Sequence, residues 1–237
     1  MARNIVIYRD EGVGEFGLKC LAEFFEGDDV WFATAEAVID GRILGMADLF
    51  IMPGGADLPY CKKLDGAGNS NIRAYVEDGG TYLGVCAGAY YGCEAIEYHK
   101  GREDAIVQER ELALAPATAV GSIPQLAPAY DLTLNSAAVI SLKGCGHQAY
   151  YHGGPYFQLN GKVDVVAYYD LPFAAPAIIR SKVGHGTAIL SGVHFEVRPG
   201  HLAAHPEDPA RGRFLADAFR GPPPDWRAIL FPPQEAA

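Results

Sequence analysis

Apolar runs of strand length alternate with helix-like segments through the first 92 residues of the chain. Between these runs, hydrophobic residues recur every three or four positions, as at Phe16, Cys20 and Phe24, which is the spacing of one helix face. A strand that is apolar along its whole length needs cover on both faces, as in βαβ units. The alternation therefore predicts a parallel sheet with helices on both sides. The predicted strands are 4–8, 29–34, 47–55 and 81–85.

The second half of the chain is richer in strand-like runs. Gly184-His185-Gly186 separates two of them and predicts a hairpin, so this half should add an antiparallel portion to the sheet. The predicted strands are 131–142, 163–170, 175–183 and 186–193.

The end of the chain predicts one helix and a surface tail. Phe214, Leu215 and Phe219 share a helical spacing, and prolines are frequent from Gly221 onward. The 237 residues contain no evident linker or internal repeat. We therefore predict one α/β domain over 1–237, in which 198–237 forms the C-terminal helix and the proline-rich tail.

Composition argues against several classes of protein. The formal net charge is −10 and Lys/Arg form no run, which argues against binding to nucleic acid. No apolar run approaches the roughly 20 residues of a membrane span, and the apolar run near the N-terminus is too short for a signal peptide. The five cysteines are odd in number and include no C-x-x-C pair. This favours a cytoplasmic protein with reduced thiols.

The stretch GVCAG (84–88) places a cysteine between two glycines where a predicted strand meets a helix. G-x-nucleophile-x-G at such a junction is the pattern of a nucleophile elbow. The nucleophile of an elbow has a strained backbone and faces the carboxyl edge of the sheet, where ligands bind. We therefore predict an unusual φ/ψ pair and a reactive thiol at Cys86. The alternative is a buried structural cysteine beside a packing glycine.

A cysteine nucleophile needs a base, and the base needs an orienting group. Of the seven histidines, His194 has an acid two residues away in a strand-like context, Glu196. Residues i and i+2 of a strand share a face, so both side chains could face a cleft while Phe195 packs behind. These residues predict a Cys86–His194–Glu196 triad. The alternative is a surface histidine beside a solvated glutamate.

A Pro53-Gly54-Gly55 turn follows the third predicted strand. The backbone N–H groups of such a turn, together with that of Ala87, could bind a substrate oxyanion. Tyr90, in the first turn of the next helix, could shape a substrate pocket. The alternatives are an ordinary tight turn and a packing tyrosine.

Cys145, His147 and His152 offer three of the ligand types that zinc takes, in the spacing C-x-H-x4-H. No fourth ligand is evident in the sequence. We predict neither a metal nor a cofactor.

The order strand-PGG, G-x-C-x-G and a late H-x-E resembles that of class I glutamine amidotransferase-like domains. The block 53–92 resembles in particular the amino-terminal domain of fungal biotin-protein ligases, which also occurs as a stand-alone bacterial protein. ERELAL (109–114), YYHGGPYF (150–157) and SKVGHGTAILSGVHFE (181–196) continue this resemblance over about 3–197.

The resemblance implies a flavodoxin-like three-layer α/β sandwich with a mostly parallel central sheet, and it carries Cys86, His194 and Glu196 over as the triad. Glutaminases of this kind usually carry a glutamine four residues after the nucleophile, where this chain has Tyr90, and H-P-E, where it has Phe195. We therefore expect poor hydrolysis of free glutamine.

A biotin ligase active site resembles a G-R-G-R-x-x-R loop. This chain has a partial match to that pattern, ARGR (210–213), in a helix-like setting beside Phe214. We expect that the chain is not itself a biotin ligase.

Three functions remain open from the sequence. The first is a cysteine-dependent amidase or acyl transferase that acts on a small-molecule or peptide-like amide or carbonyl compound. The second is a redox or stress protein of the same superfamily, and the third is a ligand-binding or regulatory module without chemistry. The complete H-x-E favours the first, because a redox cysteine needs no histidine-acid pair. A homodimer or a separate partner protein is compatible with each.

Overall fold

The computed structural model describes residues 2–127 and 131–232. The strands of the first half alternate with helices, as the sequence predicts. The strands are β1 (Asn4–Tyr8), β2 (Asp29–Ala33), β3 (Leu49–Met52), β4 (Thr81–Val85), β5 (Cys93–Tyr98), β6 (Ile106–Glu109), β7 (Ala115–Gly121), β8 (Ala138–Lys143), β9 (Gln148–Tyr151), β10 (Tyr156–Leu159), β11 (Asp164–Tyr169), β12 (Pro176–Val183) and β13 (Gly186–Ser191).

The helices are short, and two single turns of 3₁₀-helix occur at Leu44–Met46 and Leu134–Ser136. No helix within 2–127 and 131–232 is long and apolar enough to cross a membrane. The α-helices are α1 (Glu15–Phe24), α2 (Ala35–Asp40), α3 (Asp57–Leu64), α4 (Ala67–Glu77), α5 (Ala87–Gly92), α6 (Pro199–Ala203), α7 (Pro209–Ala216) and α8 (Trp226–Leu230).

The main sheet of the described residues has nine strands in the order β2-β1-β3-β4-β13-β12-β11-β8-β9. The neighbours from β2 to β13 are parallel. The neighbours from β13 to β9 are antiparallel. One half of the sheet is therefore parallel and the other antiparallel.

The prediction of a mostly parallel sheet is wrong, because the sheet is mixed. β12 and β13 are joined through Gly184 and His185, and Val183 pairs with Gly186. A connection this short can only reverse the chain, since a parallel pair needs a crossover of about a dozen residues or more. The predicted hairpin is confirmed, and it begins the antiparallel half.

Alternate side chains of the parallel strands enter two separate cores. Ile5 of β1 packs in a cluster with Leu18 of α1, whereas the neighbouring Val6 packs in a cluster with Ile72 of α4. Successive residues of a strand point to opposite faces, so the two clusters lie on opposite sides of the sheet. Helices therefore cover both faces, which explains why these strands are apolar throughout.

A second sheet, in the order β10-β7-β5-β6, was not predicted. Ile96 of β5, Ala117 of β7 and Phe157 of β10 pack in the same cluster as α4. β6 is largely exposed, and β7 contains three alanines and a proline. Neither strand has the β-branched or aromatic alternation by which strands are usually found in a sequence.

The strand predicted over 131–142 is interrupted. The hydroxyl of Ser136 lies 2.6 Å from the carbonyl oxygen of Asp131 and 3.0 Å from that of Thr133. These side-chain bonds stabilise the 3₁₀ turn, so β8 begins only at Ala138.

The predicted late helix is confirmed as α7, and α6 and α8 accompany it. The segment from Gly221 packs onto the main sheet rather than only on the surface. Arg180 of β12 donates to the carbonyl of Leu230 at 3.0 Å, and Arg227 lies 2.9 Å from a carboxylate oxygen of Asp28. Residues 233–237 of the predicted tail lie outside the described residues.

Candidate active site

Cys86 lies at the junction of β4 and α5, with φ 50° and ψ −105°. Its amide donates to the carbonyl of Ser191, the last residue of β13, at 2.8 Å. Its carbonyl accepts bonds from the amides of Ala89 and Tyr90. A positive φ is uncommon outside glycine, so the unusual backbone predicted at Cys86 is confirmed, and bonds on both sides hold it.

The glycines around Cys86 are required by close packing of backbone. A Cβ atom on Gly84 would lie 2.3 Å from the carbonyl oxygen of Gly88, and one on Gly88 would lie 2.0 Å from that of Met52. Both distances are far shorter than a non-bonded contact. Glycine therefore lets the start of α5 lie directly against the end of β3, which brings Cys86 close to the turn at Gly54.

His194 and Glu196 lie in the turn that follows β13. The explanation by strand alternation is wrong, because β13 ends at Ser191. The amide of His194 donates to the carbonyl of Tyr150 at 2.8 Å. Its ring atom Nδ1 lies 2.7 Å from Oε1 of Glu196. The turn, rather than a pleated strand, brings the two side chains together.

Glu196 is fully buried. Its second carboxylate oxygen, Oε2, has no hydrogen-bond partner among the described residues. An ionised carboxylate in such a place is costly unless a cation lies beside it. The ring of His194 is the group placed to supply that positive charge.

Cys86 and His194 meet at Gly54. A Cβ atom on Gly54 would lie 2.7 Å from Cε1 of His194 and 3.4 Å from Cβ of Cys86. Burial on its own would lower the pKa of His194, but the charge of Glu196 and a hydrogen bond to the Cys86 side chain raise it above its ordinary value. Glu196 and Cys86 therefore both favour the charged form of the imidazole.

The turn at Gly54 and Gly55 is fixed by the loop after β1. The amide of Gly14 donates to the carbonyl of Gly54 at 3.0 Å, and that of Ala56 donates to the carbonyl of Gly12 at 2.8 Å. Gly55 has φ 141°, and a Cβ atom there would lie 2.0 Å from the oxygen of Gly12. The glycines are therefore required for this close approach.

Aromatic side chains and the segment 152–154 line the surroundings of Cys86. The hydroxyl of Tyr90 donates to the carbonyl of Gly153 at 3.0 Å, and Tyr90 is buried. The ring of Tyr150, which the sequence did not single out, lies 5.7 Å from that of His194. The thiol of Cys86 lies 3.7 Å from the carbonyl oxygen of His152. Cys86 itself is only 7% exposed, so little of its side chain is accessible.

A buried ion pair that the sequence did not reveal lies at the first residue of α3, Asp57. Nε and Nη2 of Arg110 lie 2.9 and 2.5 Å from Oδ2 of Asp57. Both residues are buried. The ERE stretch at 109–111 contains this arginine, but a pairing across 53 residues of chain leaves no local signal in the sequence.

Two of the three residues considered as metal ligands, His147 and His152, have other contacts. The ring of His147 packs against that of Trp226, and Nε2 of His152 lies 3.1 Å from the hydroxyl of Ser136. Burial and then the charge of His194 lower the pKa of His152 to about 4. Within the described ranges, no group of three or more His, Cys, Asp or Glu is placed to hold a metal ion.

Comparison with known sequences identifies a family and two relatives of this protein. The family described as "Biotin-protein ligase, N terminal" matches residues 3–217. An uncharacterized protein of Chlamydia muridarum is 31% identical over 227 residues, which cover 89% of this chain and 87% of that protein. The biotin--protein ligase of Schizosaccharomyces pombe is 34% identical over 215 residues, which cover 81% of this chain. The match spans only 33% of the yeast ligase.

Comparison with solved structures concerns the fold alone. A crystal structure of a glutamine amidotransferase superposes with a TM-score of 0.56 at 20% identity, covering 90% of this chain and 97% of that one. The GH42 β-galactosidase Gan42B of G. stearothermophilus, as its E323A variant, gives a TM-score of 0.53 at 13% identity over 81% of this chain and 27% of that one. An amidotransferase-like α/β fold is thus shared.

Proposed function

The chain belongs to the family of biotin-protein ligase N-terminal domains, and we propose that it is a cysteine-dependent amidase or acyl transferase. In this proposal Cys86 is the nucleophile, His194 its proton-transfer partner and Glu196 the group that orients and charges the imidazole. The observation that carries the proposal is the position of the His194 ring, which is hydrogen-bonded to a buried carboxylate and packs, together with the Cys86 side chain, against Gly54. These are the relations that an activated cysteine needs.

The proposed reaction begins with attack of the Cys86 sulfur on a carbonyl carbon. The His194 imidazolium gives its proton to the leaving amine as the carbon–nitrogen bond breaks, which leaves an acyl thioester on Cys86. A water molecule or a second amine then attacks the thioester carbon and loses a proton to His194. The carbon–sulfur bond breaks, which releases the acid or the new amide and restores Cys86 as the thiolate beside the imidazolium. Glu196 stabilises the imidazolium at each stage where it forms.

We propose that the amides of Gly54, Gly55 and Ala87 bind the oxyanion of the tetrahedral intermediate. Gly54 supports this role because it lies against both Cys86 and His194. A donor there needs no side chain and costs no reorganisation when the charge develops.

We also propose a flavodoxin-like, three-layer arrangement for the parallel half of the sheet. Its strands follow in the order β2-β1-β3-β4-β13, which corresponds to the order 2-1-3-4-5 of flavodoxin-like folds. Cys86 then stands at the carboxyl end of the fourth strand, at the edge where such folds bind ligands.

The proposed substrate is a small-molecule or peptide-like amide with a slender group at the reacting carbon. The low exposure of Cys86 supports this, since little of the sulfur is accessible. We expect poor hydrolysis of free glutamine, since the residue four places after the nucleophile is Tyr90, whose hydroxyl already bonds to Gly153. A cytoplasmic location and a separate partner protein are parts of the same proposal.

The biotin ligase activity of the yeast relative is not proposed for this chain. The ARGR stretch (210–213) lies in α7, where a Cβ atom on Gly212 would lie 2.1 Å from the carbonyl oxygen of Leu202. Arg211 donates to the carbonyl oxygens of Leu134 and Ala137. A packed helix with its arginine bound to backbone does not resemble a loop that closes over a phosphate ester.

The experiment for this proposal is to trap the acyl-enzyme with a small thioester, N,S-diacetylcysteamine, and map the acetyl group by peptide mass spectrometry. We expect acetylation of Cys86 in the wild type. In His194→Gln the rate of acetylation should fall by about tenfold or more. Cys86→Ala should lose the signal. Equal acetylation of Cys145, or a rate that His194→Gln leaves unchanged, would contradict the proposal and favour a binding module.

A further inference from the structure

A second set of hydrogen-bonded side chains lies on the small sheet. His99 directly follows β5, and Ser122 directly follows β7, which is the parallel neighbour of β5. Nε2 of His99 lies 2.9 Å from the hydroxyl oxygen of Ser122. Nδ1 of the same ring lies 2.6 Å from Oδ2 of Asp104. Ser122, His99 and Asp104 are thus linked in series by hydrogen bonds to the two nitrogens of the His99 ring.

The charge of Asp104 decides which nitrogen of the His99 ring carries the hydrogen. The hydrogen bond from His99 lowers the pKa of Asp104, so its carboxylate is ionised at neutral pH and only accepts. Nδ1 of His99 must then donate to Asp104. In the neutral imidazole Nε2 is left as an acceptor, and the hydroxyl of Ser122 donates to it. This is the direction of proton donation that a serine nucleophile requires.

The histidine is held in one orientation from several sides. Its backbone has φ 51°, a value uncommon for a residue other than glycine. Its amide donates to the carbonyl of Gly121 at 2.6 Å, and its ring stacks on that of Tyr98 with centroids 3.9 Å apart. Arg102 lies 3.3 Å from the other oxygen of Asp104. A strained backbone that its surroundings maintain is typical of functional positions.

A second serine–histidine contact in the chain has the opposite polarity. The hydroxyl of Ser136 lies within 3.0 Å of two carbonyl oxygens, which can only accept its single hydrogen. Nε2 of His152, 3.1 Å away, therefore donates to Ser136 rather than accepting from it. Ser136 is also buried, whereas Ser122 is half-exposed. Ser136 is for these reasons a matched control.

We propose that Ser122, His99 and Asp104 form a second nucleophilic site, separate from Cys86, which reacts with esters of small carboxylic acids. The Ser122 oxygen bonds to the ester carbonyl carbon while its proton passes to Nε2 of His99. The imidazolium gives that proton to the leaving alkoxide as the carbon–oxygen bond breaks. Water then attacks the acyl-serine, with His99 as the base, and releases the acid. Asp104 orients the ring and stabilises its charged form.

The test is labelling of the full chain by an alkyl fluorophosphonate. The serine oxygen displaces fluoride at phosphorus, and the adduct is located by peptide mass spectrometry. We expect the adduct on Ser122 and its loss in Ser122→Ala. Asp104 is exposed, so Asp104→Asn should fold normally, and it should slow labelling about tenfold or more because the ring loses its anionic partner.

Two further variants separate this site from its alternatives. Ser136→Ala should label at the wild-type rate, and so should Cys86→Ala, which makes the result independent of the cysteine chemistry. Absence of an adduct on Ser122 would overturn the proposal. An adduct that forms at the same rate in Asp104→Asn would also overturn the proposal. It would show that Ser122 reacts because its hydroxyl is exposed and not because Asp104 and His99 activate it.

Discussion

His194→Gln is expected to lower the rate at which iodoacetamide alkylates Cys86 by about tenfold or more near neutral pH. Glu196 and the neighbouring Cys86 side chain raise the pKa of the His194 imidazole, which favours its charged form. Glutamine keeps a polar group of similar size but carries no charge. Alkylation in a short pulse, quantified by peptide mass spectrometry, measures the effect.

The other thiols provide internal references for this experiment. Burial raises the pKa of Cys20 to about 12 and that of Cys61 to about 11, so both are expected to react slowly. Cys145 is half-exposed and serves as the accessible reference thiol. Burial also raises the pKa of Cys93. We expect wild-type Cys86 to label before all four of the other cysteines.

His201→Gln is the matched control, because His201 also pairs with a glutamate, Glu23, at 2.9 Å. It should leave the labelling of Cys86 unchanged. Preferential labelling of Cys145 in the wild type, or equal labelling of Cys86 in His194→Gln, would contradict the assignment of His194.

Gly88→Ala is expected to destabilise the fold by about 3 kcal/mol, and so to lower the midpoint of thermal unfolding by about 6–12 °C. The added Cβ atom would lie 2.0 Å from the carbonyl oxygen of Met52 and 2.7 Å from the carbonyl carbon. Both are backbone atoms at the end of β3, so relief requires α5 to move away from the sheet. Thermal unfolding followed by circular dichroism measures the shift.

Gly200→Ala supplies the matched control for this change. Gly200 lies in α6, and a Cβ atom there would meet nothing within 4 Å. Alanine is the better helix former, so this variant should be neutral or slightly stabilising. A Gly88→Ala protein as stable as Gly200→Ala would show that the contact between β3 and α5 is not a constraint.

The parallel half of the fold and the backbone of Cys86 could be predicted because their signals are local. Continuous apolar runs such as 4–8 and 81–85 indicate covered strands, and the glycines around Cys86 indicate a tight junction. These glycines leave out side chains that would clash, since a Cβ atom on Gly84 would lie against the carbonyl of Gly88 and one on Gly88 against that of Met52.

The features that were missed depend on residues far apart in the chain. Asp57 and Arg110 pair across 53 positions, and Ser122 reaches His99 only because β5 and β7 are neighbours. No periodicity in the sequence encodes such pairs. The relation of His194 to Glu196 was found from its spacing, but its cause is a turn after β13, which alternation in a strand does not describe.

If Cys86, His194 and Glu196 act as one unit, the titration of the His194 ring should depend on Glu196. NMR of histidine-labelled protein measures this titration. A raised pKa means that the ring stays charged through neutral pH and loses its proton only in the alkaline range. We expect a midpoint well above the ordinary value of about 6.5 in the wild type. We also expect a lower midpoint in Glu196→Gln, which retains the shape of the side chain but not its charge. A His194 midpoint near the ordinary value in the wild type, or one that Glu196→Gln does not lower, would show that the three residues do not act as one unit.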